Sequence, residues 1–106
     1  MQPLPYKKYV TLNKDYIQTS TECACIYCFH RCKPDDITEY TCDINPDTGL
    51  WAYETAICPY CSMDAVIPNS MIDYTDELLY AFHVTGFNKD SAEVEYDNYK
   101  NFYGLA

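Results

Sequence analysis

Two cysteine pairs are the residues of this chain whose types and spacing are best suited to chemistry. Cys25-Ile26-Tyr27-Cys28 and Cys58-Pro59-Tyr60-Cys61 each hold two cysteines separated by two residues. A turn of this kind places two sulfurs on one side of a tight loop, which is half of a tetrahedral metal site. Two such turns in one short chain therefore predict a single zinc site with Cys25, Cys28, Cys58 and Cys61 as its ligands.

A zinc ion held by four cysteines has no open coordination position, so it stabilises a fold and does not catalyse a reaction. The rest of the sequence agrees with a non-enzymatic protein. It holds only two histidines, His30 and His83, and it contains no H-E-x-x-H or G-x-S-x-G motif. Phosphate-binding glycine loops are also absent, because the chain has only three glycines.

Three further cysteines and one histidine lie near the first pair or follow it: Cys23, His30, Cys32 and Cys42. A second zinc site built from these residues is an alternative, but their spacing is irregular. We interpret Cys23 as a small buried apolar residue. We interpret His30 as a residue at the surface or beside the ligands.

A second alternative belongs to another functional class. Cys58-Pro59-Tyr60-Cys61 matches the active-site tetrapeptide of glutaredoxins, which predicts a thiol–disulfide redox protein using Cys58 and Cys61. Those enzymes place the tetrapeptide at the start of a helix. The residues that follow here, 62–68, predict a strand that ends at a turn, and this context disfavours the redox alternative.

Length and charge limit the remaining classes. The chain has 106 residues and a net charge of −9, of which residues 62–106 carry −6. We expect a single domain over 1–106, and direct nucleic-acid binding is disfavoured because it depends on Lys and Arg. Met1–Val10 does not resemble a signal peptide, and no apolar run is long enough to span a membrane. A cytoplasmic protein is therefore expected, in the host cytoplasm if the chain is of phage or viral origin.

The local patterns predict an α+β fold in three parts. Residues 1–22 are predicted to form an N-terminal hairpin, residues 23–70 the zinc core, and residues 71–106 a helical, acidic C-terminal part. The predicted elements are strands at 8–12 and 16–19, a short helix or turn at 33–40, strands at 40–44 and 50–55, a strand at 65–67, and helices at 75–83 and about 90–102.

Two kinds of residue are candidates for binding a partner protein. Trp51 is the only tryptophan, and we expect it to anchor the core, with an exposed binding residue as the alternative. The acidic residues suggest a sharper alternative, since rows of carboxylates can imitate phosphates and occupy a nucleic-acid cleft. The candidate surface for such mimicry consists of Asp73, Asp76, Glu77, Asp90, Glu93, Glu95 and Asp97.

Three segments resemble a family of small, largely uncharacterised bacterial and phage cytoplasmic proteins. They are Cys25-x-Tyr27-Cys28, Pro34-x-Asp36-Ile37-x-Glu39-Tyr40 and the stretch from Thr55 to Pro68. The family shows C-x-Y-C, F-x-P-x-E-I-x-E-W and T-A-x-C-P-x-C-G-I-D-S-V-I-P, and the likeness covers about residues 25–83. It implies a zinc-ribbon-like or treble-clef-like metal site at the same four cysteines, with one or two helices after it. It implies no established reaction.

The departures from the family pattern are also informative. Cys32 stands where the family has Phe, which implies a core role, and Ser62 stands where the family has a Gly that relieves strain in the metal turn. The segment from Thr41 to Glu54 is longer than in the relatives and brings in Cys42 and Trp51. We therefore expect any specialised function in that segment. The expected activity is binding to another protein, and inhibition of a host protein if the chain comes from a phage or virus.

Overall fold

The computed structural model describes residues 6–102 and residue 104. Its elements form the predicted α+β arrangement, with short antiparallel strands around four clustered cysteines and two longer helices at the C-terminal end. In chain order they are α1 (Lys7–Val10), α2 (Lys14–Gln18), β1 (Cys23–Cys25), β2 (Arg31–Cys32), a 3-10 turn (Pro34–Asp36), β3 (Tyr40–Ile44), β4 (Trp51–Ala56), β5 (Val66–Pro68), α3 (Asp76–Gly86) and α4 (Lys89–Phe102).

A three-stranded antiparallel sheet lies at the centre in the order β2-β1-β5. Cys23 pairs with Cys32 on one side of β1 and with Pro68 on the other. All three residues of β1 and of β5 are buried. This small sheet is therefore covered on both faces. The first cysteine turn begins at the end of its central strand, β1, and the second lies between β4 and β5.

Strands β3 and β4 form the predicted hairpin, and its turn has the predicted mechanism. The Asp47 N–H donates a hydrogen bond to Asn45 Oδ1 at 2.8 Å, and the Gly49 N–H donates to the Asn45 carbonyl at 2.8 Å. Gly49 has a φ of 70°, which glycine adopts without steric penalty. The pairing register shifts between Thr41 and Cys42, so a bulge separates the tip of the hairpin from its base.

The predicted N-terminal hairpin is wrong, because its two strands are the short helices α1 and α2. The fully buried Asn13 between them explains the difference. Its Nδ2 donates to the carbonyls of Tyr9 and Val66 at 2.9 and 2.8 Å, and its Oδ1 accepts from the Ala56 N–H at 3.1 Å. The two long-range bonds, to Val66 and Ala56, together with the burial of Val10 and Ile17 in the core, override the local strand preference.

The two predicted C-terminal helices are present. Thr75 caps α3, because its Oγ1 accepts from the Leu78 N–H at 3.2 Å. Helix α3 buries His83 completely, and both of its ring nitrogens have partners: Nδ1 lies 2.9 Å from the Ile26 carbonyl and Nε2 lies 2.7 Å from Ser91 Oγ. The prediction that His83 is structural agrees with these contacts, which hold α3 and α4 against the first cysteine turn.

Two sequence expectations concern residues at the ends of the chain. The part of the N-terminal prediction that falls on residues 1–5 lies outside the described residues, as does the end of the C-terminal part at 103, 105 and 106. Within the described ranges, none of the helices combines the length and the apolar character that a membrane span requires.

Candidate metal centre

The two cysteine turns are built in the same way. In the first turn, the Phe29 N–H donates to the Cys25 carbonyl at 2.9 Å, and the Cys25 N–H donates to the His30 carbonyl at 3.0 Å. In the second, the Ser62 N–H donates to the Cys58 carbonyl at 3.0 Å, and the Cys58 N–H donates to the Met63 carbonyl at 2.9 Å. Two segments that are distant in sequence therefore present their cysteines with equivalent backbone geometry.

The residue after each turn adopts the left-handed backbone conformation, with φ of 65° at both Phe29 and Ser62. L-residues enter this region at a cost of roughly 1–2 kcal/mol. Ser62, where the resembling family has glycine, leaves the turn regular, because its geometry matches that of the first turn. At Phe29 the side chain supplies a compensating contact, since its ring is 1% exposed and stacks on His83 at 5.3 Å.

The four predicted ligands come together in one cluster. Cys25 Sγ lies 3.6 Å from Cys61 Sγ, Cys28 Sγ lies 3.6 Å from Cys58 Sγ, and all four sulfurs lie within 4.8 Å of one another. Three of the four cysteines are buried. The cluster is compact enough for a single metal ion to contact every sulfur.

Backbone donors also point at the sulfurs. The Tyr27 N–H donates to Cys25 Sγ at 3.3 Å, and the Tyr60 N–H donates to Cys58 Sγ at 3.4 Å. Hydrogen bonds of this kind orient metal ligands and favour the charged thiolate over the thiol. Each turn thus prepares the first cysteine of its pair for binding a cation.

The four thiols influence one another's protonation. Burial raises the pKa of Cys25 well above its ordinary value, whereas hydrogen bonds with Cys25 and Cys28 lower the pKa of Cys58 and Cys61. The cluster therefore shares its protons unevenly, and a bound metal ion would displace them.

The alternative second metal site does not form. Within residues 6–102 and 104, the four cysteines are the only group of three or more His, Cys, Asp or Glu side chains close enough to share an ion. Cys23 and Cys32 pair across β1 and β2, and burial raises the pKa of both thiols to about 12. At neutral pH these two thiols are therefore protonated and unreactive.

His30 lies beside the ligands, and aromatic rings surround its imidazole. That ring stacks on Tyr60 with centroids 4.4 Å apart, and its neighbours on other sides are Tyr99 and Phe102 at 5.7 and 5.0 Å. Tyr60 belongs to the second cysteine turn and the other two to α4. His30 therefore links the metal centre to the last helix.

Trp51 is not the core anchor that the sequence led us to expect. Its side chain is 67% exposed on β4, and Tyr53 on the same strand is 70% exposed. Trp51 pairs across the hairpin with Ile44, which is 52% exposed, and Tyr53 pairs with Cys42. Paired and alternate residues share one face of a hairpin. We call the surface of Ile44, Trp51 and Tyr53 the aromatic face.

The acidic candidate residues do not form one surface of unpaired carboxylates. Asp76 Oδ1 accepts a hydrogen bond from Arg31 Nη2 at 2.6 Å, and Asp97 forms a 3.4 Å ion pair with Lys100. Glu95 is half-buried on α4. The exposed carboxylates are those of Asp73 and Glu77, on or before α3, and of Asp90, Glu93 and Asp97, which follow one stripe of α4.

The environment of Cys58-Pro59-Tyr60-Cys61 differs from that of a glutaredoxin motif. The tetrapeptide lies between β4 and β5, so that a strand follows it in place of a helix. Its sulfurs face those of Cys28 and Cys25.

Comparisons with protein-family models, curated proteins and solved structures found no match to the chain, so the resemblance to the bacterial and phage family stays a prediction.

Two residues that organise the site gave little signal in the sequence. Asn13 fixes β4 and β5 through its side chain, and Phe29 joins the first turn to α3. The position of Phe29 directly after the second cysteine of a turn is a usable signal, because that position favours a positive φ. Asn13 offered none, since its partners are distant along the chain.

Proposed function

We propose that this chain is a zinc-stabilised, non-enzymatic module that binds another protein through the aromatic face of its hairpin. The observation that carries the proposal is the exposure of that face on a hairpin whose two strands lead to the cysteine turns. Large apolar side chains grouped on a surface mark interaction sites. Aromatic residues are also the residue type most enriched among those that dominate binding energy.

The donor set supports zinc as the metal. Four sulfur ligands in a tetrahedral arrangement are typical of structural zinc, with zinc–sulfur bonds of about 2.3 Å. A regular tetrahedron with such bonds has sulfur–sulfur edges of about 3.8 Å, close to the two 3.6 Å separations observed. Zinc would supply folding energy here, and the four cysteines would leave it no site for a substrate.

The chemistry of the hairpin indicates the kind of partner. Residues 40–56 contain Asp43, Asp47 and Glu54 and no Lys or Arg. A partner surface that fits this hairpin therefore has an apolar pocket for Trp51 and Tyr53, with basic residues around it. If the chain is of phage or viral origin, its binding would cover such a surface on a host protein and thereby inhibit the host protein.

A capture experiment with matched variants tests this proposal. The tagged chain is incubated with lysate beside a W51A/Y53A variant and a Y16A control, because Tyr16 is an exposed tyrosine on α2 and is not part of the aromatic face. Removing a dominant aromatic residue weakens binding by about 2 kcal/mol, or about thirtyfold. We expect one partner to be retained by the wild type and Y16A and lost from the double variant.

The only tryptophan provides a second readout on the purified complex. Trp51 is exposed in the free chain, so its fluorescence should shift to shorter wavelengths when a partner covers it. Raising the salt concentration should weaken the complex, since opposite charges are involved. Equal capture by W51A/Y53A and the wild type would refute the aromatic face as the binding surface.

Nucleic-acid mimicry is the second candidate function, and the stripe of Asp90, Glu93 and Asp97 on α4 favours it. Its test is competition. Mimicry would be supported if DNA or RNA displaced the partner from the chain. It would also require that the D90N/E93Q/D97N variant fail to bind the partner while W51A/Y53A still binds it. The thiol–disulfide alternative makes a different prediction, since a redox protein would be purified without metal and would exchange disulfides through Cys58 and Cys61.

A further inference from the structure

A cavity of about 220 Å³ lies between the first turn of α3 and the middle of α4. Two carboxylates and two phenol rings line it: Asp76, Glu77, Tyr80 and Tyr96. Drug-sized ligands occupy pockets of roughly 300–1,000 Å³. This cavity is smaller and is suited to a single side-chain head group.

The two rings form adjacent walls of the cavity. The centroids of Tyr80 and Tyr96 are 5.9 Å apart, and the ring planes meet at 79°. Two aromatic rings at a right angle are the arrangement that holds organic cations, because each ring presents a negative π face to the charge. Tyr96 already attracts a cation of the chain itself, since Lys100 Nζ lies 5.1 Å from its ring centroid.

The walls are also held in place before any ligand binds. Phe29, which is 1% exposed, stacks on Tyr80 with centroids 6.3 Å apart and forms a T-shaped pair with Tyr96 with centroids 5.3 Å apart. The Tyr96 hydroxyl donates to Asp76 Oδ2 at 3.4 Å. A rigid site loses little entropy on binding. The same Phe29 follows the first cysteine turn, so the metal centre supports this cavity indirectly.

The charge around the cavity is negative. Arg31 forms ion pairs with Asp76 at 2.6 Å and with Glu22 at 3.3 Å. These two carboxylates more than neutralise the guanidinium, and Glu77 adds a further, exposed negative charge. The positive end of the α3 dipole, equivalent to about half an elementary charge, offsets only part of this excess. A cation in the cavity would therefore be attracted both by the rings and by the net charge.

We propose that the cavity lined by Asp76, Glu77, Tyr80 and Tyr96 binds the cationic head group of an arginine or lysine side chain in a basic peptide. The guanidinium and ammonium groups share the chemistry that the site recognises, which is a positive charge on an apolar stem. This inference goes beyond the aromatic face of the hairpin, and either can fail without the other.

Nuclear magnetic resonance on the zinc-loaded, ¹⁵N-labelled full chain tests the proposal. Short glycine-flanked peptides containing arginine, lysine or trimethyllysine are titrated in turn, with tetramethylammonium as a free small cation. Peptides containing citrulline or norleucine are the controls, because they keep the size of arginine or lysine and lack the charge. We expect the arginine or lysine peptide to shift the amide signals of α3 and α4 around Glu77, Tyr80 and Tyr96, and the neutral peptides to leave them unchanged.

A pair of variants with the same change in charge completes the test. E77Q removes a carboxylate from the cavity, whereas E93Q removes an exposed one from α4 outside it. Loss of one nearby charge should weaken cation binding about fivefold in E77Q and much less in E93Q. Stronger binding of trimethyllysine than of lysine would support the proposal and identify a methylated partner.

Three outcomes would overturn the inference. Equal binding of the citrulline and arginine peptides would show that the cavity binds the side chain without selecting for positive charge. If tetramethylammonium binds and none of the peptides does, the cavity takes free small cations and not the side chain of a peptide. Absence of any shift in α3 or α4 would show that it takes no cation, and capture through Trp51 and Tyr53 would be unaffected.

Discussion

Replacement of one cysteine ligand by serine is the perturbation that most directly tests the metal centre. In C58S, a hydroxyl replaces the sulfur of a residue that is 2% exposed, and that sulfur lies 3.6 Å from Cys28 Sγ. Serine is a poor zinc ligand at neutral pH, because its hydroxyl stays protonated. The other three sulfurs remain in place, so the variant removes one quarter of the ligand set and little volume.

The expected magnitude follows from the number of ligands. Structural zinc in small domains binds with about 10–16 kcal/mol, so one ligand of four corresponds to about 3 kcal/mol. That loss weakens zinc binding about a hundredfold. It is also a large fraction of the 5–15 kcal/mol that typically separates folded from unfolded proteins. For a chain of this length we expect the melting temperature to fall by about 15 °C.

The assay combines native mass spectrometry, for the zinc content of each chain, with thermal unfolding followed by circular dichroism. C42S is the matched control, since Cys42 lies on β3 and outside the sulfur cluster. We expect one zinc ion per chain in the wild type and C42S, with C42S melting within a few degrees of the wild type. The reasoning would be refuted if C58S kept its zinc and its melting temperature, or if C42S lost both.

Two further predictions concern buried polar side chains. N13D keeps the acceptor for the Ala56 N–H, but it loses both donors and brings a carboxylate oxygen close to the Val66 carbonyl. In urea unfolding we expect N13D to lower the free energy of unfolding by about 2–4 kcal/mol. The control N98D, at an exposed position, should lower it by less than about 0.5 kcal/mol. Burial lowers the pKa of His83 below its ordinary 6.5, so the unfolded chain takes up a proton first as the pH falls. The contribution of His83 to the free energy of unfolding should thus be complete above about pH 6.5 and should decline below that pH, by at most about 1.4 kcal/mol per pH unit. Protonation of the cysteines acts in the same direction, and a shallower pH dependence in H83Q isolates the histidine; equal slopes would contradict this role.

The elements that could be predicted from the sequence are those determined by neighbouring residues. The cysteine spacing, the Asn45–Gly49 turn and the Thr75 cap each act over a few residues, and the structure contains the turns, hairpin and helix that they predict. The N-terminal helices were missed because Asn13 bonds to residues more than forty positions away.

The exposure of Trp51 could not be predicted for a related reason. Its hairpin has a shifted register near Cys42, and the strand pattern alone does not reveal which face of a two-stranded sheet is covered. The pairing of Asp76 with Arg31 was hidden as well, since the two residues lie on different elements. In the acidic C-terminal part, charge counts therefore overstated the number of unpaired carboxylates.

The position of the hairpin between the two cysteine turns has a consequence for how such a chain can evolve. Residues 29–57 connect Cys28 of the first turn to Cys58 of the second, so a metal ion bound to both turns would close this segment into a loop. Lengthening a closed loop is inexpensive, at about 0.6 kcal/mol for each doubling of its length. Insertions and substitutions near the tip would leave the scaffold intact, and new specificities can therefore arise there by drift and selection without a new fold.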